Sequence, residues 1–217
     1  MTDCSACDVN PNILVNGAEQ PIARLLLAHG AGAGMSHDFM SRLAEALSNQ
    51  HLEVVRFNFD YMVQALEQQK KRPPDRLPKL VDCMTRVGEQ LDHNLPLFVA
   101  GKSMGSRVAC LVAEGLSARG VIAYGYPFHP PGKPERLRRD ELEASAADIF
   151  VLQGERDPFG RSDEWSGFQL PEHVSLVAVK DGEHSFKPTK KSGVTQDDNI
   201  VFAAEQTARF IKSKLAC

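Results

Sequence analysis

The segment at residues 101–105, with the sequence GKSMG, has the spacing of a nucleophile turn. It follows an apolar run at residues 95–101 and precedes an amphipathic stretch, so it fits a turn from a strand into a helix. Such a turn lifts the serine hydroxyl clear of the sheet and leaves room only for small residues two positions before and after it. Gly101 and Gly105 meet that requirement. The pattern therefore predicts Ser103 as a catalytic nucleophile.

Two other interpretations of this segment compete with the first. A short pattern of glycine and serine arises by chance, but the strand before it and the helix after it weaken that explanation. A phosphate-binding loop also ends in Gly-Lys-Ser, yet its motif requires glycine at position 96, where this sequence has Pro96. The phosphate-loop interpretation is therefore rejected.

A glycine-rich segment, HGAGAG at residues 29–34, follows the apolar run at residues 22–29. Its glycine spacing does not match the G-x-G-x-x-G of a dinucleotide-binding loop. In hydrolases with a nucleophile turn, an N–H of this loop and the N–H after the nucleophile bind the oxyanion that forms during the reaction. We assign these two donors to Ala31 and Met104, and we expect His29 to brace the loop rather than touch substrate.

A carboxylate and an imidazole follow two later apolar runs. Asp157 comes shortly after the run at residues 148–154, and His184 follows the run at residues 174–179. Loops at the carboxyl ends of parallel strands meet at one edge of a sheet, and Ser, Asp, His is the chain order of this type of hydrolase. We predict that His184 takes the serine proton and that Asp157 orients the imidazole. Glu155 stays open as an alternative acid.

Short apolar runs alternate with amphipathic stretches, which predicts an α/β fold: a doubly wound, mostly parallel sheet with helices on both faces. We expect a flexible tail at residues 1–12 and a single domain at residues 13–217. An edge strand is predicted at residues 13–15, besides the apolar runs at 22–29, 52–59, 95–101, 120–126, 148–154 and 174–179. Helices are predicted at 36–50, with Ser36 as its cap, and at 78–93, 104–116, 135–145 and 199–215.

The connection at residues 127–147 must hold the predicted helix at 135–145, which leaves no room for a cap domain. Ser103 is therefore expected in a shallow, open groove. Side chains at the ends of nearby strands are candidates to line this groove and bind substrate: Tyr61, Tyr126, Phe128 and His129. Packing in the core is an equally open interpretation of these four side chains.

Composition narrows the class of partner. The net charge is −3 at pH 7 and the densest basic stretch, at residues 70–72, is short, so no nucleic-acid partner is expected. No apolar run approaches the ~20 residues that span a bilayer, and the first residues do not resemble a secretory signal. With five cysteines, an odd number, we expect a reduced, cytoplasmic protein with no membrane partner. Cys4 and Cys7 lack a second pair of ligands, so no metal site is expected there. No cofactor is expected either.

Six short segments carry a resemblance to a known superfamily: LAHGAG at 27–32, RFNF at 56–59, RPPD at 72–75, GKSMG at 101–105, GERDPFG at 154–160 and HSF at 184–186. From about residue 22 onward the sequence resembles the α/β-hydrolase superfamily, and within it the small, capless, dienelactone-hydrolase-like proteins. More narrowly, it resembles a bacterial branch related to a subunit of a chromatin acetyltransferase complex. The resemblance implies the α/β-hydrolase fold and a catalytic triad. Dienelactone hydrolases themselves have cysteine where this chain has Ser103.

Two classes of function follow. The first is a serine hydrolase that cleaves a small carboxylic ester or thioester through an acyl-enzyme intermediate. The second is a catalytically silent scaffold that acts in protein interaction or regulation, since a fold does not fix a function. A complete candidate triad with two oxyanion donors favours catalysis. The oligomeric state stays open.

Overall fold

The computed structural model describes residues 12–216. Cys4 and Cys7 lie outside the described residues, as does nearly all of the tail predicted at residues 1–12. Seven strands form one sheet: β1 (Ile13–Asn16), β2 (Ala23–Ala28), β3 (Leu52–Phe57), β4 (Leu97–Lys102), β5 (Val121–Tyr124), β6 (Ile149–Gly154) and β7 (Val174–Val179).

The strands lie in the order β1-β3-β2-β4-β5-β6-β7. β1 is antiparallel to β3, and the other described pairings are parallel. The edge strand predicted at residues 13–15 is therefore confirmed. β2 and β4 lie side by side, in a register that pairs Ala28 with Gly101. This register places the glycine-rich loop after β2 beside the turn after β4.

Six α-helices and a 3₁₀ helix at Trp165–Gly167 accompany the strands within the described residues, and the last of them follows β7. The α-helices are α1 (Asp38–Ser48), α2 (Asp60–Glu67), α3 (Leu77–Glu89), α4 (Met104–Val112), α5 (Asp140–Ala144) and α6 (Gln196–Leu215). Of residues 12–216, no helix is both long and apolar enough to cross a membrane.

Helices cover both faces of the sheet. Phe39 of α1 and Ile200 of α6 belong to one hydrophobic cluster, which also contains Leu25 of β2. Leu80 of α3 belongs to a second cluster, together with Leu26 of β2. Because neighbouring residues of a strand point to opposite faces, the two clusters lie on opposite sides of the sheet. The doubly wound α/β arrangement predicted from the sequence is confirmed.

Tertiary hydrogen bonds shorten one predicted helix. The helix expected at residues 135–145 is reduced to the five residues of α5. The backbone N–H of Arg138 donates to the Phe128 carbonyl at 2.6 Å, and Arg139 Nη1 donates to the Phe168 carbonyl at 3.1 Å. These bonds tie the preceding chain to neighbouring loops, so it does not continue the helix.

Two further helical features differ from the prediction. α2 has no predicted counterpart, because its eight residues are shorter than the window of about 11–18 residues in which a helical period is recognised. The cap of α1 is His37, whose Nδ1 accepts from the N–H of Phe39 at 3.3 Å, and not Ser36.

The connection between β5 and β6, residues 125–148, holds α5 and no other α-helix of the described chain. Its first residues turn into the core, where Tyr126 and Phe128 are fully buried. No segment of this connection is large enough to form a separate layer over the sheet edge. The expected architecture without a cap domain is confirmed.

Candidate active site

Ser103 lies in the turn between β4 and α4. Its backbone has φ 53° and ψ −115°, a conformation that residues other than glycine rarely adopt. Such strain ordinarily costs about 1–3 kcal/mol and concentrates at functional sites. The N–H of Ser103 donates to the Tyr124 carbonyl at 3.1 Å, and the N–H of Ser106 donates to the Ser103 carbonyl at 2.9 Å. The turn is therefore held from both sides.

Close backbone contacts explain the two glycines of this turn. A Cβ added to Gly101 would overlap the carbonyl group of Gly105. A Cβ added to Gly105 would lie 2.6 Å from the carbonyl oxygen of Ala28, at the end of β2. Both positions therefore exclude a side chain, as the spacing of the GKSMG segment predicts.

The loop after β2 passes directly beside the turn. A Cβ added to Gly30 would lie 3.6 Å from Cβ of Ser103. Ala31 is exposed at this point of the loop. Met104 is the first residue of α4, so its N–H has no partner within the helix. The structure thus brings both predicted oxyanion donors to the neighbourhood of the serine.

His29 is buried beneath the loop, and its two ring nitrogens have fixed partners. Nε2 accepts from the N–H of Phe59 at 3.1 Å, so Nδ1 carries the proton and donates to the Gly30 carbonyl at 2.7 Å. Burial lowers the pKa of His29 to about 4, against a smaller opposing effect of the Gly30 carbonyl. A neutral His29 therefore links β2, the loop and the end of β3, and it is absent from the groove lining described below.

Tyr61, a predicted substrate-binding residue, is buried and braces the same loop. Its hydroxyl donates to the Ala31 carbonyl at 3.0 Å and lies 3.3 Å from the Gly30 carbonyl. The structure therefore places Tyr61 behind the loop and not in the groove that contains Ser103. Its ring packs with the ring of His29 at a centroid distance of 5.9 Å.

The predicted acid and base meet at the same edge of the sheet. His184 Nδ1 lies 2.8 Å from Asp157 Oδ2. Asp157 is fully buried, and its other oxygen, Oδ1, accepts from the N–H of Phe159 at 2.9 Å. Gln153 Nε2 donates to Oδ2 at 3.0 Å. A carboxylate fixed in this way holds one orientation of the imidazole.

The alternative acid, Glu155, has a different partner. Its Oε2 accepts from the N–H of Asp181 at 2.7 Å, which braces the turn after β7. Glu183 also acts locally, because its Oε1 accepts from the N–H of Ser185 at 2.7 Å. Asp157 is therefore the carboxylate that pairs with His184.

Lys102 adds a buried cation to the site. Its Nζ has no hydrogen-bond partner in the described chain and lies 5.8 Å from the centroid of the Phe39 ring. A Cβ added to Gly125 would meet both Lys102 Nζ, at 3.2 Å, and Asp157 Oδ2, at 3.3 Å, so the two charged atoms share one neighbourhood. Burial lowers the pKa of Lys102 to about 8, although the charges of Asp157 and Glu183 raise it.

The pKa of His184 responds to these surroundings. Burial lowers it, the hydrogen bond to Asp157 raises it, and the positive charge of Lys102 lowers it again. The charges of Asp157 and Glu183 also raise it, and the net direction is downward from the ordinary value. His184 is therefore neutral, and able to accept a proton, at a lower pH than an ordinary histidine.

Ser103 and His184 line one surface groove of about 270 Å³. The oxyanion loop forms one wall, from Gly30 to Ala33, and Phe159 forms part of the other. The Phe159 ring packs on the His184 imidazole at a centroid distance of 4.3 Å. The groove therefore presents Ser103, His184 and the loop after β2 to one bound molecule.

The other three predicted substrate-binding residues do not reach this groove. Tyr126 and Phe128 are fully buried, with ring centroids 5.0 Å apart, and the Tyr126 hydroxyl donates to Glu141 at 3.1 Å. His129 is buried as well, and its Nε2 lies 3.1 Å from Glu164 Oε2. All three follow the end of β5, but their side chains are buried and line no part of the groove that contains Ser103.

Residues that do shape the site were missed at the sequence level. Phe159, two residues after Asp157, belongs to the GERDPFG segment, but no substrate-binding role was predicted for it. Gln153 is a polar residue at the end of the apolar strand β6, a pattern that often marks a buried hydrogen bond. Within residues 12–216, no three His, Cys, Asp or Glu side chains come together as a metal-ion site.

Residues 21–212 match the model of a protein family described as an alpha/beta hydrolase domain. The match spans well over half of the chain, so the chain belongs to this alpha/beta hydrolase family. The family and the fold together support a hydrolase.

Solved structures share this fold. An alpha-beta serine hydrolase homologue from Coxiella burnetii is 18% identical with a TM-score of 0.69, over 91% of this chain and 90% of that one. A dienelactone hydrolase from Anabaena variabilis is 18% identical with a TM-score of 0.69, over 93% and 90%. A serine hydrolase without lid from Xanthomonas campestris is 20% identical with a TM-score of 0.63, over 91% and 88%. At these identities the likeness shows the fold alone.

Proposed function

We propose that this protein is a serine hydrolase that cleaves a carboxylic ester or thioester through an acyl-enzyme intermediate. The observation that carries the proposal is the 2.8 Å contact between His184 Nδ1 and Asp157 Oδ2, in a groove that also contains Ser103. A carboxylate on Nδ1 leaves Nε2 as the basic nitrogen of the neutral imidazole. That tautomer is the one required to take a proton from a serine hydroxyl.

Acylation begins when His184 Nε2 accepts the hydroxyl proton and Ser103 Oγ attacks the carbonyl carbon of the substrate. The carbonyl double bond becomes an oxyanion, and we assign the N–H groups of Ala31 and Met104 as its hydrogen-bond donors. The N-terminus of α4 adds a favourable field for this negative charge. The intermediate collapses as the protonated imidazole gives its proton to the departing alcohol or thiol, and the acyl group stays on Oγ.

Deacylation repeats these steps with water as the nucleophile. His184 Nε2 takes a proton from the water, whose oxygen attacks the acyl carbon and again forms an oxyanion. The ester bond to Oγ then breaks, the imidazole returns the proton to Ser103, and the carboxylic acid leaves. Asp157 stabilises the imidazolium in both halves of the reaction.

The alternative function, a catalytically silent scaffold, rests on the narrower resemblance to relatives of a chromatin acetyltransferase subunit. The strained backbone of Ser103 weighs against it, because such strain has a free-energy cost and no use in a scaffold. A cytoplasmic location also stays a prediction, based on the odd number of cysteines and on the composition of the sequence.

A panel of p-nitrophenyl esters and acyl thioesters tests the proposed function. We expect steady turnover of at least one short-chain substrate, with a burst of the first product if deacylation limits the rate. Ser103→Ala should lose this turnover. Ser162→Ala, a matched change at an exposed serine, should keep it. Purified, folded protein that turns over no substrate of either class would favour the scaffold.

A further inference from the structure

A second groove opens on the other side of the oxyanion loop. It has a volume of about 690 Å³, within the range of roughly 300–1,000 Å³ that is typical of small-molecule sites. Ala31 and Gly32 line both this groove and the groove of Ser103. A molecule bound at the nucleophile therefore reaches the second groove by passing the oxyanion loop.

One wall of this groove is apolar. It consists of Met62, Ala65 and Leu66, which lie on α2. Leu66 is 59% exposed, one of the few large hydrophobic side chains of the described chain that remain in water. An aliphatic segment laid along α2 would remove this apolar surface from water, which is favourable.

The far end of the groove is basic. Lys70, Lys71 and Arg72 line it and are exposed, and none of the three is in an ion pair with another described residue. No carboxylate belongs to the groove lining. Arg72 also faces a neighbouring cavity that contains Asp60 and Asp75, so the two lysines are the cations that belong to this groove alone.

The position of His184 indicates whether the acyl part or the leaving group of the substrate would lie in this groove. The leaving group must lie beside His184, because the imidazole protonates it. His184 lines the groove of Ser103 but not the groove beyond Ala31. The second groove lies past the oxyanion loop, away from the proton donor, and is therefore open to the acyl chain.

We propose that the groove along α2 binds the acyl part of the substrate, and that this part is an aliphatic chain ending in an anionic group. The inference rests on the proposed function and specifies its substrate class. A carboxylate and a phosphate share the chemistry that the basic end would recognise, so the test includes both.

Three p-nitrophenyl esters with the same leaving group provide the test. They are the neutral hexanoate, the mono-ester of adipic acid, which ends in a carboxylate, and the ester of 6-phosphonooxyhexanoic acid. We expect a higher kcat/KM for at least one anionic ester than for the hexanoate at low ionic strength. The preference should shrink in 0.5 M salt, because salt screens exposed charges. The better of the two anionic esters identifies the terminal group.

Two double variants distinguish an effect of the groove lysines from an effect of the net charge of the protein. Lys70→Gln/Lys71→Gln should raise KM for the preferred anionic ester by about three- to thirtyfold, as expected for two exposed charge contacts. Hydrolysis of the hexanoate should change less than twofold. Lys190→Gln/Lys191→Gln removes the same charge from another exposed pair of lysines, which lines neither groove, and should leave both esters unaffected.

Equal kcat/KM values for the neutral and both anionic esters would overturn the inference, as would equal effects of the two lysine pairs. If none of the esters is hydrolysed, the proposed function fails instead, and a binding measurement then decides the inference. Adipate should shift the methyl NMR signals of Met62, Ala65 and Leu66 in the wild type but not in Lys70→Gln/Lys71→Gln. Adipate that shifts none of these signals would contradict the proposed groove without any reference to turnover.

Discussion

His184 lies among three charged side chains that act on it in opposite directions. Asp157 and Glu183 favour its protonated form, while Lys102 disfavours it, and burial adds to the effect of Lys102. A general base works only when it is neutral, so activity is present above its pKa and is lost as pH falls through that pKa. Because the net shift is downward, we expect kcat/KM to stay high to a lower pH than the ordinary histidine pKa of about 6.5 implies.

Lys102→Met tests the contribution of the buried cation. The substitution removes the charge that lowers the pKa of His184, so the acidic limb of the kcat/KM profile should move to higher pH. Lys79→Met, at an exposed lysine outside the groove, should leave the limb in place. The urea midpoint of Lys102→Met, compared with that of the wild type, checks that the variant is folded. An unchanged acidic limb in a folded variant would contradict this role.

Asp157→Asn tests the assignment of the acid. The amide cannot stabilise the imidazolium and favours the wrong tautomer of His184, so kcat should fall on the order of 10³–10⁴-fold. Glu155→Gln alters a carboxylate of the same loop that accepts from the N–H of Asp181, and it should cost less than tenfold. The reverse ranking of the two variants would identify Glu155 as the functional acid.

At the residue scale, the placement of Ser103, Asp157 and His184 was predictable because each follows an apolar strand and the three come in the chain order of this type of hydrolase. The aromatic side chains were not predictable in the same way. Tyr126 and Phe128 come at a strand end, but a strand end does not determine whether the next side chain points to solvent or into the core. The effect of Lys102 on the pKa of His184 was not predictable either, because the G-x-S-x-G pattern allows any residue at this position.

At the scale of elements, the site depends on how closely the turn after β4 approaches the end of β2. Gly105 lies against the Ala28 carbonyl, and Gly30 lies against Ser103. His29 and Tyr61 support the loop from behind through hydrogen bonds to its carbonyl groups. The loop that contains Ala31 is therefore held in place by the rest of the fold, and fixed donors are the condition for electrostatic stabilisation of a transition state.

Gly101→Ala tests this close approach. The added methyl group would overlap the Gly105 carbonyl, so the backbone must shift, and the free energy of unfolding should fall by about 1–3 kcal/mol. Urea unfolding measures this as a lower midpoint at an unchanged slope. Gly17→Ala is the matched control, because an added Cβ at Gly17 meets no atom within 4 Å in the described chain. Equal midpoints for the two variants would show that the turn relaxes freely.

The strands were predictable as elements because helices cover both faces, which leaves near-continuous apolar runs such as β2. The helices were less predictable. α5 is short because hydrogen bonds from Arg138 and Arg139 to distant carbonyls compete with the helix. The residues around α5 do not reveal those bonds, because the partners lie elsewhere in the chain. α2 spans only eight residues, too few for a helical period to stand out in the sequence.

At the scale of the whole molecule, the absence of a cap leaves the groove of Ser103 at the surface. No part of the β5–β6 connection covers it in the described chain, and the wall residue Ala31 is exposed. The short connection was predictable from its length alone, since 21 residues between the predicted strands leave little beyond one helix. An open groove has no lid that a lipid surface would need to displace.

Hydrolysis of a soluble short-chain ester should therefore follow simple saturation up to and beyond its solubility limit. Emulsified long-chain esters should react poorly in comparison. Initial rates of a short-chain triglyceride, measured across the concentration at which droplets form, provide the test. A sharp rise in rate at that concentration would mean that a lid covers the groove.

The nucleophilic role of Ser103 can be measured most directly by covalent labelling. A fluorophosphonate should add one phosphonyl group to the folded protein, and peptide mass spectrometry should locate it on Ser103. Ser103→Ala should lose both the label and the hydrolysis of the best substrate, while Ser162→Ala retains both. A label on another residue, or full labelling of Ser103→Ala, would contradict the central claim that Ser103 is the catalytic nucleophile.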